Sequence, residues 1–292
     1  MTFKPLVLAD RPFFIDLEKR FPFSTSDVNF TNLFIWRDFY NFIWTEAEGC
    51  VCLIANPIEG PSFALPPLGG GDKFKAVDFL FSSMSQPRLS RVGEELAVFL
   101  GQRRSDLVIE PDPDNHDYVY LSEKLINLSG RKMHQKKNHY NYFINNYKFE
   151  LITITEEHLD ELVSIEDKWL ISKSEKIGPS SHLLLEARAV HLLLENLRIL
   201  ELEGLAIKID GRVEAFTLGQ PLNQETALIH VEKANPEFRG IYVALCSNFC
   251  RFFYADKKYV NREQDLGLAG LRRSKESLKP DHLEKKFVIM VK

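Results

Sequence analysis

The 292-residue chain contains no apolar run approaching the roughly 18 residues that a membrane-crossing helix needs. Its first residues, MTFKPLVLADRPFF, lack the charged-then-apolar pattern of a secretory leader before Asp10. The expectation is a cytoplasmic protein with no integral membrane segment. Cysteine is scarce. The four present fall as Cys50/Cys52 and Cys246/Cys250, among core-type neighbours such as Val51, Leu53, Leu245 and Phe249. Neither spacing is usual for zinc, so buried free thiols are expected and no metal site. Excess charge is missing too, since 37 Lys and Arg against 41 Asp and Glu leave a net charge of −4. That balance argues against general adhesion to duplex DNA or anionic membrane and leaves room for a local basic face. No serine or cysteine nucleophile with a nearby histidine and acid stands out, so a covalent enzyme intermediate is not expected.

What the chain has in quantity is apolar and aromatic side chain: 45% hydrophobic residues and 22 Phe, enough for sizeable cores or an interface, which leaves the oligomeric state open. At about 150 residues per domain, the length suggests two. The periodicity repeats one order twice. The first half reads as strand 5–8, helix 13–21, an aromatic strand 29–36, strands near 42–45 and 50–55, strand 62–66, the Gly69-Gly70-Gly71 turn and helix 74–83. The second reads as strand 149–155, helix 156–170, a helical stretch 181–200, and strands 205–209 and 213–219 joined by Asp210-Gly211. Strand 226–232, Gly240 and helix 241–254 complete it. A basic helix, 123–146, lies between them behind the proline- and acid-rich stretch 110–114. The boundary falls near 105–115, giving domains 1–110 and 111–292 with the basic helix in the second.

Five polar residues, Asn261 to Asp265, stand where a late strand should enter the core, and the basic segment Leu271-Arg272-Arg273-Ser274-Lys275 follows. A buried polar group without a partner costs on the order of 1–3 kcal/mol, so this run reads as the wall of a polar site. The other reading is a strand at a sheet edge with these side chains in water.

The element order is that of the GNAT acyltransferase fold. Several segments go further: Asp117-Tyr118-Val119-Tyr120, Leu128 to His134 with Lys136-Lys137-Asn138-His139, His230-Val231-Glu232-Lys233-Ala234, Gly240 with Tyr242, and Asn261 to Gly267 with Gly270-Leu271-Arg272. Together these resemble the phosphatidylglycerol lysyltransferase C-terminal domain family over roughly residues 1–290. The resemblance implies an α/β fold of mixed sheets, built as two tandem GNAT-like domains. It also implies kinship with enzymes that move an amino acid from aminoacyl-tRNA to a lipid or peptide amine or hydroxyl.

In such a fold the helix starting at Gly240 opens where two strands part, and a helix N-terminus offers unpaired N–H groups to phosphate. Arg239 and Gly240 are therefore candidate phosphate contacts, although packing alone also accounts for a glycine there. Glu237 and Tyr242 stand where the acetyl-coenzyme A loop wants Gln or Arg and a small residue, which does not support that donor. Glu232 is the first candidate general base, with His230 two residues away on the same strand face; an ion pair between Glu232 and Arg262 is the structural alternative. Asp265 is the second acid, Tyr242 a candidate proton donor, and Asn261 and Arg262 line the polar cleft. Arg131, Lys132, Lys136 and Arg272 read either as a solvated face or as a track for donor phosphates. The expected activity is acyl or aminoacyl transfer by direct attack, with no required cofactor and with acyl-coenzyme A or charged tRNA as donor. The alternative is a non-catalytic ligand-binding protein on degenerate GNAT-like domains.

Overall fold

Strands form where β-branched, aromatic and alternating apolar residues cluster. In chain order they are β1 (Lys4–Pro5), β2 (Ile43–Ala47), β3 (Cys50–Ala55), β4 (Phe63–Ala64), β5 (Arg88–Gly93), β6 (Leu107–Pro111), β7 (Asp117–Leu121), β8 (Phe149–Thr153), β9 (Glu203–Ile209), β10 (Arg212–Pro221), β11 (Thr226–Ala234), β12 (Tyr259–Asn261), β13 (His282–Glu284) and β14 (Lys286–Val291). The computed structural model describes residues 2–177 and 181–292. One unit comprises Met1–Asp117, Gln264–Leu271 and Leu283–Lys292; the other comprises Tyr118–Glu263 and Arg272–His282.

The first sheet runs β1-β2-β3-β4-β5-β14-β6, and the second, read from its far edge, runs β8-β9-β10-β11-β12-β7-β13. The two orders superimpose strand for strand. Each has a parallel pair in the middle, β4 with β5 and β11 with β12. The sixth position is filled across the chain: β14, from the C-terminal end, sits between β5 and β6, while β7 sits beside β12. Each fold is a mixed α/β sheet with helices over it, as the element order implied.

In the second unit the helix Ile241–Phe253 lays Ala244, Leu245, Cys246, Phe249 and Cys250 on the sheet. Its short polar positions face elsewhere, which is the apolar stripe a covering helix needs. In the first unit the helix Lys73–Ser82 contributes Ala76, Val77, Leu80 and Phe81 to the core formed with β3, β5 and β14. The four cysteines are free and buried.

Two expectations are corrected. The stretch 29–36 is a helix, Phe30–Ile35, not a strand. Asn29 caps it by accepting the Thr31 N–H at 3.0 Å, and Glu18 accepts the Phe30 N–H at 2.7 Å. All six helical residues are buried, so no polar face advertises the helical period. The continuous basic helix 123–146 is two helices, Ser122–Asn127 and His134–Asn146. Leu128 enters the left-handed region at φ 48° and Gly130 follows at φ 94°, which ends the first helix before the second starts.

Candidate functional site

β11 and β12 pair only where Thr226, Ala227 and Leu228 meet Tyr259, Val260 and Asn261. β11 then continues to Ala234 while the other chain leaves the sheet, so the strands fork and the polar run begins at the fork. β12 is interior, flanked by β11 and β7, which removes the edge-strand reading of this run.

A bulge precedes the site. Leu218 pairs with Val231 and Gly219 with Ile229, leaving His230 as an extra residue on β11. The bulge resets the two-residue alternation, so spacing no longer puts His230 and Glu232 on one face. Contacts decide instead. His230, its side chain 1% exposed, has Nδ1 at 3.4 Å from Glu263 Oε1. Glu232 meets Arg262: its Oε2 accepts from Nε at 3.0 Å and from Nη2.

Each side chain of that pair is 12% exposed. Glu232 Oε1 and Arg262 Nη1 are both buried without a hydrogen-bond partner. Burial opposes the Arg262 charge, but Glu232 outweighs it and holds the guanidinium well above its usual range. The guanidinium also lies 5.5 Å from the Tyr120 ring centroid, and the Tyr120 hydroxyl donates to the Lys275 carbonyl at 2.9 Å. Lys136, half-buried near the start of helix His134–Asn146, feels the same guanidinium. Burial first, and then the Arg262 charge, keep its ammonium below the ordinary lysine range.

The remaining expected residues divide by environment. Arg131 and Lys132 are exposed on the short turn Arg131–Met133. Arg239 is exposed, its guanidinium 4.6 Å over the Tyr142 ring. Gly240, at φ 93°, has the His139 carbonyl oxygen 2.2 Å from where a Cβ would stand, so close helix packing requires this glycine. Tyr242 donates to the Ala234 carbonyl at 3.1 Å, and burial pushes its phenol up. Asn261 Oδ1 accepts the Glu263 N–H, and Asp265, in the first unit, accepts the Gly267 N–H, each at 2.8 Å. Both stabilise turns. Arg272 is half-buried on the helix Ala269–Ser277. Thus Glu232, Arg262 and Lys136 are brought together, while Arg131, Lys132 and Arg239 are surface cations.

One cluster escaped the sequence reading. Lys233 Nζ lies 3.1 Å from Glu166, 2.8 Å from Glu186 and 3.4 Å from the Trp169 ring centroid. Burial raises the Glu166 carboxyl even against the Lys233 charge. A lysine inside the apolar strand LIHVEKA was the available signal for it. Among the described residues no group of His, Cys, Asp and Glu is arranged to hold a metal ion. A cavity of about 400 Å³ in the first unit is lined by Phe13, Leu17, Phe21 and Gly69 to Gly71, among others, and by none of these site residues.

A forked mixed sheet with a helix leading out of the fork, present twice, defines a tandem GNAT-like α/β protein. The model of the family "Phosphatidylglycerol lysyltransferase, C-terminal" matches residues 18–290, and the chain belongs to that family. A solved structure of a conserved protein of unknown function from Bacteroides thetaiotaomicron covers 100% of both chains at TM-score 0.92 and 27% identity. L-PGS from Bacillus licheniformis shares the fold, with TM-score 0.66 and 16% identity over 97% of this chain and 92% of that one. An uncharacterized protein of Mycoplasmoides gallisepticum is 28% identical over 177 residues, 60% of this chain and 56% of its own length, so the match spans little more than half of that relative. Among the described residues no helix is long and apolar enough to cross a membrane. Family and fold agree with an acyl-group transferase.

Proposed function

We propose that the second unit transfers an amino acid or other acyl group from an activated donor, aminoacyl-tRNA or acyl-coenzyme A, to an amine or hydroxyl by direct attack. The observation that carries this reading is Glu232 at the fork, gripped through Oε2 by Arg262 with Oε1 left without a partner. The acceptor nitrogen or oxygen attacks the donor carbonyl carbon and its proton passes to Glu232. The carbon–oxygen or carbon–sulfur bond to the donor then breaks, and the leaving atom takes up the proton. Strand N–H groups near Val231 to Lys233, beside the bulge, are suited to receive the developing oxyanion. Of the two donors, aminoacyl-tRNA is favoured. Glu237 and Tyr242 depart from the coenzyme A loop, whereas Arg131, Lys132 and Lys136 suit a phosphodiester chain.

Single-turnover assays with labelled aminoacyl-tRNA and with acyl-coenzyme A, against a panel of amines and hydroxyls, test the reading. Glu232→Gln is expected to slow transfer by about 10²–10⁴-fold with the fold intact. Arg131→Ala is expected to weaken the tRNA donor in a salt-dependent way. Full turnover in Glu232→Gln removes Glu232 as the base. The buried Glu232–Arg262 pair also suits a second reading, a non-catalytic receptor built on the same cleft, and product formed with any donor rules that out.

A further inference from the structure

The Glu232–Arg262 pair is an incomplete one. Two fixed ionic side chains are buried together, yet one donor atom and one acceptor atom remain without partners, a costly arrangement for a contact that serves packing alone. Lys136 adds a second cation to the same place, in the field of Arg262. Among the described residues it makes no ion pair of its own. Two cations therefore share one carboxylate at the mouth of the fork. A planar guanidinium grips a carboxylate or a phosphate oxygen through the same N–H edge, so the two compete for it.

We infer that Arg262 and Lys136 form a subsite for a phosphate-type anion, and that Glu232 occupies it intramolecularly while no ligand is bound. The arriving anion takes the Nε and Nη2 edge of Arg262 and gains the Lys136 ammonium as well. Glu232 is displaced and loses its counter-ion. Under the transferase reading, on which this one consequence rests, donor binding would release the base where the acceptor is to be deprotonated. The subsite itself does not depend on that reading.

The sign of the linkage gives the test. A ligand competing with an internal group binds more tightly once that group is weakened, by the inverse of the fraction of protein free to bind. Inorganic pyrophosphate is titrated calorimetrically into the full chain as wild type, Glu232→Gln, Arg262→Gln and Lys136→Gln, with thermal melts confirming the fold. Glu232→Gln is expected to bind pyrophosphate about tenfold more tightly or better. Arg262→Gln and Lys136→Gln are each expected to bind it several-fold more weakly. Unchanged or weaker binding by folded Glu232→Gln overturns the inference. Should Arg262→Gln fail to fold, Lys136→Gln on its half-buried helix decides, and unchanged affinity there overturns it as well. Absence of transfer with every donor would reject the proposed activity and leave this titration standing. An unaltered titration alongside intact transfer would reject the subsite alone.

Discussion

Lys286 offers the sharpest test of how the first unit is held together. Its ammonium is fully buried on β14, paired with Asp27 and with Asp117 Oδ1 at 2.6 Å. Arg91 reaches the same Asp27. Two carboxylates and two cations thus balance in the core. Asp117 also accepts the Ser26 N–H at 2.7 Å and its hydroxyl at 3.0 Å. Lys286→Met keeps most of the volume but leaves two carboxylates facing one guanidinium. Removing one partner of a buried ion pair costs about 3–5 kcal/mol because the other charge stays behind. At roughly 2–4 °C per kcal/mol for a protein of this size, the melting temperature should fall by about 10 °C. Urea unfolding with an unchanged m-value is the assay. The double variant Lys286→Met/Asp117→Asn restores charge balance, and part of the loss should return as a non-additive term. A loss below about 1 kcal/mol in the single variant, or no recovery in the double, would refute the account of this cluster as a neutral buried network.

Two further outcomes concern pH and packing. Burial lifts the Glu18 carboxyl from 4.5 to about 7, against the pull of the Phe30 N–H and Arg11. The native state then keeps a proton that the unfolded chain has released, so the stabilisation is complete below pH 4.5 and is lost as pH rises through about 7. The swing is roughly 3 kcal/mol at most, and Glu18→Gln should flatten stability across that window in urea melts; an identical slope in the variant contradicts the assignment. Gly240→Ala forces a Cβ to 2.2 Å from the His139 carbonyl oxygen at a φ of 93°. A loss of about 2 kcal/mol or more is expected from strain and overpacking, and a near-neutral result would mean that helix His134–Asn146 yields easily.

Much of the element order is readable from local pattern. Asp210 and Gly211, both at positive φ, turn β9 into β10 as a hairpin, and Gly240 opens the helix Ile241–Phe253. What escaped the pattern depended on distant partners. The helix Phe30–Ile35 is buried all round, so its period is invisible. The break at Leu128 places a non-glycine residue in the left-handed region, which residue type does not announce. β14 carries the continuous apolar run Phe287 to Val291, which says strand without saying beside which neighbour. At the site, the Glu232–Arg262 pair was one of two open readings, and the polar run marked its neighbourhood. The bulge at His230 was not legible, because it arises from register against β10 and not from any residue of β11.

The comparison of the two forks explains why the second unit is the place to look for chemistry. In the first, the parallel pair is a single register point, Ala64 with Leu89. Pro66 and Pro67 deny β4 its ladder donors, and Leu68 turns back to bridge Val51, so no strand runs on past the fork to carry a Glu232 counterpart. Arg91 lies two residues beyond that point, much as Arg262 lies one residue beyond Asn261. Its guanidinium is consumed by Asp27 and by the Tyr40 hydroxyl at 2.6 Å, and Lys286 neutralises what remains of the acid. In the second unit β11 runs on to Ala234 past the bulge, bringing Glu232 to Arg262 while Nη1 stays unpaired. One topological slot thus holds an arginine in both halves, with opposite uses. Where the strand stops, the cation is a clamp for the core; where the strand continues, the cation keeps a donor in reserve, which is the condition for holding a ligand.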